Sequence, residues 1–207
     1  KGHRVATVKA GDGFVQHGAG DYTLCPEQER PGYDALFSGL AGDGGVPERI
    51  VHLWLVTGEE TFRPGSNFFN RNQERGFQSL FFTAQAVVPA MQAAGGGAII
   101  NVGSILSDAP IPIQGVYSAS KHAVKGFTNA LRMELMREQA PITVSLIKPA
   151  AVDSPYSKHA RNLTGYATQN PQPVYATHVV ADTILYCASH PIREITVGGG
   201  GRLIASF

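Results

Sequence analysis

Two apolar runs frame the second half of this chain, Ala98-Ile99-Ile100-Asn101-Val102 and Ile142-Thr143-Val144-Ser145-Leu146-Ile147-Lys148-Pro149, with a segment of helical period between them. The first follows a glycine-rich turn, Gly95-Gly96-Gly97, and ends at Gly103-Ser104. The second is rich in β-branched residues and stops at a proline, so both read as strands. Between them apolar residues recur at 123, 124, 127, 130, 131 and 135, the spacing of one helix face. Strand, helix, strand is the unit of an open α/β sheet, and such sheets take their ligands at the carboxyl ends of the strands.

Chemistry-bearing residues fall at those ends. Tyr117-Ser118-Ala119-Ser120-Lys121 opens the helical segment, thirteen positions after Ser104. In a helix, positions i and i+4 share a face, so Tyr117 and Lys121 point the same way. A tyrosine titrates near ~10, and an ammonium beside it favours the phenolate, which brings proton exchange closer to neutral pH. Ser104 supplies a third polar contact to the same carbonyl carbon. A tyrosine and a lysine four apart also occur on ordinary solvated helix faces, and the flanking strands are what raise this pair above that reading.

With its serine, its Y-x-x-x-K pair and the segment Pro149-Ala150-Ala151-Val152-Asp153-Ser154, the chain from about residue 87 to 207 resembles the short-chain dehydrogenase/reductase family. The resemblance implies hydride transfer between NADP or NAD and a carbonyl or secondary alcohol. It implies that Tyr117 exchanges the hydroxyl proton, that Lys121 lowers the tyrosine pKa and holds the nicotinamide ribose, and that Ser104 orients the substrate oxygen. Pro149, Ala150, Val152 and Ser154 would line the nicotinamide, with Val152 and Ser154 on its carboxamide. It also implies a homo-oligomer.

Residues 2 to 86 are similar instead to the structural subdomain of modular polyketide synthase ketoreductases, a truncated dinucleotide fold that buttresses a catalytic half. The stretches that carry this likeness are Gly2 to Val8, Ile50 to Thr57 and Gly76 to Ala86. The expected architecture is therefore a single Rossmann-like α/β domain over 1–207, a doubly wound parallel sheet with a polyketide-type part (1–86) and a dehydrogenase-type part (87–207). It lacks the first strand and its glycine-rich loop. A phosphate-binding turn needs glycines between a strand and a helix amino terminus, and no such run is present. Gly11-Asp12-Gly13 is followed by the short extended piece Phe14-Val15 and reads as a hairpin turn; Gly198 to Gly201 reads as a flexible turn. In the order 3-2-1-4-5-6 the first strand is central, so its loss leaves two unpaired edges or forces its neighbours together. The family's asparagine on the helix before the catalytic strand matches Gly76, with Asn72 one turn away, which puts the proton relay beyond Lys121 in doubt.

Further elements are expected as strands at 4–9, 22–25, 49–56 and 195–197, and as helices at 33–42 and 71–93. A loop is expected at 57–70, and a late helix carries apolar residues at 179, 180, 184, 185 and 188. Pro155 to Pro173 is irregular and carries Tyr156, His159, Arg161 and Tyr166, which either shape substrate specificity or are plain surface loop. Arg132, Glu134, Arg137 and Glu138 read as a solvated helix face.

At 207 residues, 43% hydrophobic, the chain can fill one sizeable core. Seventeen basic and sixteen acidic residues give a net charge of +1, without a nucleic-acid footprint. No apolar run approaches the ~20 residues of a membrane span, and no secretory signal opens the sequence. Cys25 and Cys187 read as the reduced thiols of a cytoplasmic protein. The seven histidines show no zinc-type spacing, so no metal is expected; His122 points about 100 degrees away from Lys121 and reads as a surface or interface residue. Arg4 and Lys9 flank the expected second strand and could meet a 2′-phosphate, which weakly favours NADP. Two rivals stand beside the oxidoreductase: a non-catalytic scaffold that binds no nucleotide, and a serine hydrolase using the S-x-x-K match Ser118 to Lys121, which lacks its companion motifs.

Overall fold

A computed structural model describes residues 4–26, 29–51, 78–154, 165–167 and 169–199. The expectations for strand residues 52–56, the loop 57–70, Asn72, Gly76, Tyr156, His159, Arg161 and Gly200-Gly201 lie outside the described residues. The chain divides into two compact units: among the described residues, 4–48 with 78–97 form one, and 49–51 with 98–199 form the other.

The first unit holds strands β1 (Thr7–Ala10), β2 (Val15–Gly18) and β3 (Asp21–Leu24), then helices α1 (Glu29–Gly42) and α2 (Ser79–Ala93). β3 is central, with β1 parallel on one side and β2 antiparallel on the other. This corrects one expectation. Gly11-Asp12-Gly13 is no hairpin between neighbours; it leads from β1 to a strand on the far side of β3. The tight hairpin joins β2 to β3 instead, where Gly20 takes φ +80°, a region open to glycine. α1 begins four residues before its expected start, because Pro31 is tolerated in a first turn where its missing N–H has no partner to lose. In α2 the buried residues Leu80, Ala84, Val87 and Met91 form one stripe at helical spacing. α1 packs against α2, with the Tyr33 and Phe82 rings 5.7 Å apart. Asp43, just beyond α1, accepts hydrogen bonds from the Tyr22 hydroxyl (2.5 Å), the Gly20 amide (3.1 Å) and the Gln16 amide group (2.9 Å). Burial, reinforced by that carboxylate, pushes the Tyr22 phenol up to about 12.

The second unit is the expected parallel sheet flanked by helices. Its strands are β4 (Arg49–Val51), β5 (Gly97–Val102), β6 (Ile142–Pro149) and β7 (Glu194–Val197), in the order β4-β5-β6-β7. β4 pairs parallel with β5, and β6 with β7. Helix α3 (Gly115–Arg137) leads into β6, and α4 (Thr177–Ser189) leads into β7. Both sheet faces are covered, which is why β5 and β6 read as near-continuous apolar runs. Ile100, Ile147 and Val197 meet Cys187, Val180 and Ile184 of α4. On the other face Asn101 donates to Thr128 of α3 (2.9 Å), and the buried Arg132 of α3 donates to the Val144 carbonyl (2.8 Å) and to that of Arg193. Arg132 is 6% exposed, so it is not the solvated residue expected; its neighbours Glu134, Arg137 and Glu138 are exposed. The seven described strands thus lie in two sheets, with β1 and β4 each at an edge.

Gly198 ends β7 at φ +103°, and an added Cβ would stand 2.4 Å from the Tyr175 ring. Gly198→Ala is therefore expected to destabilise the fold by roughly 1–3 kcal/mol, the scale of one residue held in a forbidden backbone region, read as a lower midpoint in urea denaturation.

Candidate active site

The carboxyl end of β5 builds the site. Its last residue, Val102, hands over to Gly103, whose amide donates to the Ile147 carbonyl of β6 at 2.8 Å. A Cβ on Gly103 would meet the Ser107 hydroxyl at 3.0 Å and the Leu146 side chain at 3.1 Å, a crowding that the bare glycine avoids. Ser104 then caps a 3₁₀ turn, Ile105–Ser107. Its hydroxyl accepts from the Leu106 amide (3.2 Å), while its own amide donates to the Ser107 hydroxyl (3.1 Å). This reciprocal capping fixes Ser104 in one orientation, buried at 7% exposure.

α3 supplies the other two groups from one face, as the i, i+4 spacing requires. Tyr117 is half-buried and its side chain is hydrogen-bonded to that of Ser104. Lys121 places its ammonium 5.6 Å from the Tyr117 ring centre and donates to the Val102 carbonyl at 3.3 Å. Ser104, Tyr117 and Lys121 are thus brought together at the rim of the sheet.

Their electrostatics depart from the sequence expectation. The phenol is not drawn down by the ammonium; burial pushes Tyr117 above its ordinary value, and the bond to Ser104 pulls in the opposite direction. Burial also lowers the Lys121 ammonium. Each charged form is penalised by the same dry surroundings.

The segment after β6 is held at the same rim. The Ala150 amide donates to Val197 of β7 (2.9 Å), Tyr175 donates to Ala151 (2.8 Å), and Asp153 donates to Tyr175 (2.8 Å). Pro149, Ala150, Val152 and Ser154 are half-buried along this stretch. Elsewhere the expected residues are otherwise engaged. Lys9 faces Asp21 at 4.0 Å and Arg4 donates to the Asp43 carbonyl, so both proposed 2′-phosphate contacts have partners. Tyr166 is exposed. His122 is exposed, with its ring bonded to the Ser118 carbonyl. Ser118 itself is 2% exposed, which leaves no room for the acyl group that an S-x-x-K hydrolase must receive. Both cysteines are free thiols. No helix among the described residues is long and apolar enough to cross a membrane, and no described group of three ligating side chains could hold a metal.

Sequence reasoning missed a charged cluster beside the turn. Asp108, which follows Ser107, pairs with Lys125 of α3 and with Lys148 of β6 (2.5 Å); Lys148 also pairs with Glu194 of β7. Only the i, i+4 relation of Lys121 to Lys125 hinted at it.

Comparison with known proteins agrees with this geometry. The "short chain dehydrogenase" family model matches residues 65–164. That match takes in just under half of the chain, including Ser104, Tyr117 and Lys121. Among its relatives, the uncharacterized oxidoreductase YxnA of Bacillus subtilis is 41% identical over 113 residues, which is 53% of this chain and 31% of that protein. A 3beta-hydroxysteroid dehydrogenase of Mediterraneibacter gnavus is 27% identical over 91% of this chain and 75% of its own length. The crystal structure of the acetoin dehydrogenase YohF from Salmonella typhimurium superposes with a TM-score of 0.63 at 23% identity, over 88% of this chain and 75% of that one. A putative oxidoreductase from Escherichia coli gives 0.64 at 25% identity, over 88% and 74%. The matched region spans about a third of the length of the first of these relatives.

The charged cluster makes stability depend on pH in a signed way. Burial alone would raise Asp108, but hydrogen bonds from Lys125 and Lys148 outweigh it and hold its carboxyl below the usual range. Burial alone would lower Lys148, but Asp108 and Glu194 hold it above its usual value. A lowered carboxyl contributes stability above its unfolded value, about 3.9, and loses it as the pH falls through the folded value. A raised amine contributes fully below about 10.4 and loses it as the pH rises through the folded value. Urea midpoints are expected to fall at both extremes, with a shallower acid limb in Asp108→Asn.

Proposed function

We propose that this chain carries the catalytic site of an oxidoreductase that moves a hydride between NADP or NAD and a small carbonyl or secondary-alcohol substrate. The observation that carries it is the convergence of the Ser104 hydroxyl, the Tyr117 phenol and the Lys121 ammonium at the end of β5. Each can donate a hydrogen bond, which is what a carbonyl oxygen gaining negative charge requires. The relatives' printed names, an acetoin dehydrogenase and a 3beta-hydroxysteroid dehydrogenase, agree with that substrate class.

The donor set suits the nicotinamide end of a dinucleotide. Lys121 has ammonium protons beyond the one given to Val102, and the Pro149–Ser154 stretch lies past the carboxyl end of β6, where such folds bind ligands. The cofactor would supply the hydride. The protein's residues handle the proton and the geometry. Tyr117 stays neutral because burial disfavours its anion, so it holds the proton that an alkoxide takes up. Ser104 fixes the substrate oxygen from an orientation set by its own turn. Lys121 places positive charge behind the phenol and stabilises the phenolate left after transfer. The reading of 1–207 as one Rossmann-like domain with a polyketide-type first part, in a cytoplasmic homo-oligomer, belongs to the same proposal and rests on resemblance and, for the compartment, on the two reduced thiols.

The rival reading is a scaffold that binds no nucleotide. NADPH and NADH titrations followed by fluorescence and thermal shift separate the two readings. Saturable binding is expected, with Tyr117→Phe retaining it and losing turnover by roughly 10²-fold or more, the worth of a positioned acid. Absence of binding by either nucleotide, or an active Tyr117→Phe, would overturn the proposal.

A further inference from the structure

We propose that Asp108 is a positioning residue that sets the Ser104 turn against the face of α3 carrying Tyr117 and Lys121. The proposal rests on the reading of Ser104 and Tyr117 as the proton-handling pair. The 3₁₀ turn has Ser104 at its start and Asp108 at its end, where the Asp108 amide donates to the Ile105 carbonyl at 3.0 Å. One end of the turn is therefore pinned by capping and the other by charge. The Asp108 carboxylate holds Lys125, which lies two helical turns after Tyr117 and one after Lys121, so Tyr117, Lys121 and Lys125 form one row on α3. Its other oxygen holds Lys148 of β6, two residues beyond Leu146, whose side chain packs against Gly103. Glu194 completes the charge balance, two carboxylates against two ammoniums.

A cluster like this is weak evidence for stability, because desolvation offsets much of the attraction. It is directional, however, and a carboxylate shared between a helix and a strand fixes the register of whatever turn it sits on. Here that turn carries the serine which bonds the phenol. An apolar replacement could stabilise the fold equally well without placing Ser104.

The test reads Tyr117 directly in the unliganded chain. Tyrosine labelled at Cζ gives a resonance for Tyr117, assigned by its loss in Tyr117→Phe and followed at a fixed pH below the lysine range of about 10.4. In Asp108→Asn the ionised fraction of Tyr117 is expected to fall several-fold, because the bond from Ser104 that favours the phenolate is lost. Removing a nearby negative charge would by itself raise that fraction, so the sign separates positioning from a field effect. The double variant Asp108→Asn with Lys125→Gln keeps the net charge and leaves no unpaired ammonium on α3. It is expected to show the same fall, and Asp108→Glu to recover the wild-type titration. A Tyr117 titration that is unchanged or shifted toward the phenolate in Asp108→Asn and the double variant, with only the melting temperature lowered, would overturn the proposal. Neither cofactor nor substrate enters the measurement. A chain that showed this dependence but never bound nucleotide would refute the proposed activity and leave the positioning role standing.

Discussion

The end of β5 is where the backbone stops serving the sheet and begins serving the site. Val102 offers its carbonyl to Lys121, Gly103 continues the ladder to β6, and Ser104 turns away into a capped 3₁₀ turn. Each step depends on the one before. A side chain at Gly103 would crowd Ser107 and Leu146, two residues that hold the turn and its strand neighbour in place. The sheet supplies rigidity through burial on both faces, and the rim converts that rigidity into the position of a hydroxyl.

Burial has an opposite effect on the reacting groups. It raises the phenol and lowers the ammonium, so burial disfavours the charged form of each. A neutral phenol is the form that can donate, and a nearby cation becomes worth more as water is excluded. The expectation that the ammonium would draw the phenol down treated the pair as if it sat in water. In the folded chain the desolvation of each group is the larger effect, and the stabilisation of an anion falls first to the hydrogen bond from Ser104.

What could be read from the sequence follows from how local each signal is. β6 appears at 142–149 as expected, because a buried strand between helices shows a continuous apolar run that a proline then ends. The helical row of Tyr117 and Lys121 was legible because i, i+4 geometry is fixed by the backbone alone. Long-range choices were not. That β1 pairs directly with β3, skipping β2 of the sequence, depends on which edges meet, and the glycines of 11–13 look the same in either topology. Arg132 looked solvated because its partners, the Val144 and Arg193 carbonyls, are backbone atoms that leave no mark in side-chain patterning. Asp108 and Lys148 are forty residues apart and meet only when the turn closes on β6.

The charged cluster also bears on why the turn is held by ions rather than by apolar contact. A 3₁₀ turn is short and its hydrogen bonds are poorly aligned, so packing alone would leave it several nearly equal positions. Apolar surfaces slide with little change in energy, whereas a carboxylate between two ammoniums has one deep minimum. Lys148 is 8% exposed, so displacement of Asp108 leaves a cation in a dry place with Glu194 as its remaining carboxylate, at a cost above that of moving a methyl group. The penalty that makes the cluster a poor source of net stability is the same penalty that makes it a strict ruler. For a site whose chemistry depends on a serine oxygen meeting a phenol within hydrogen-bond reach, strictness matters more than net stabilisation, and the two are not interchangeable.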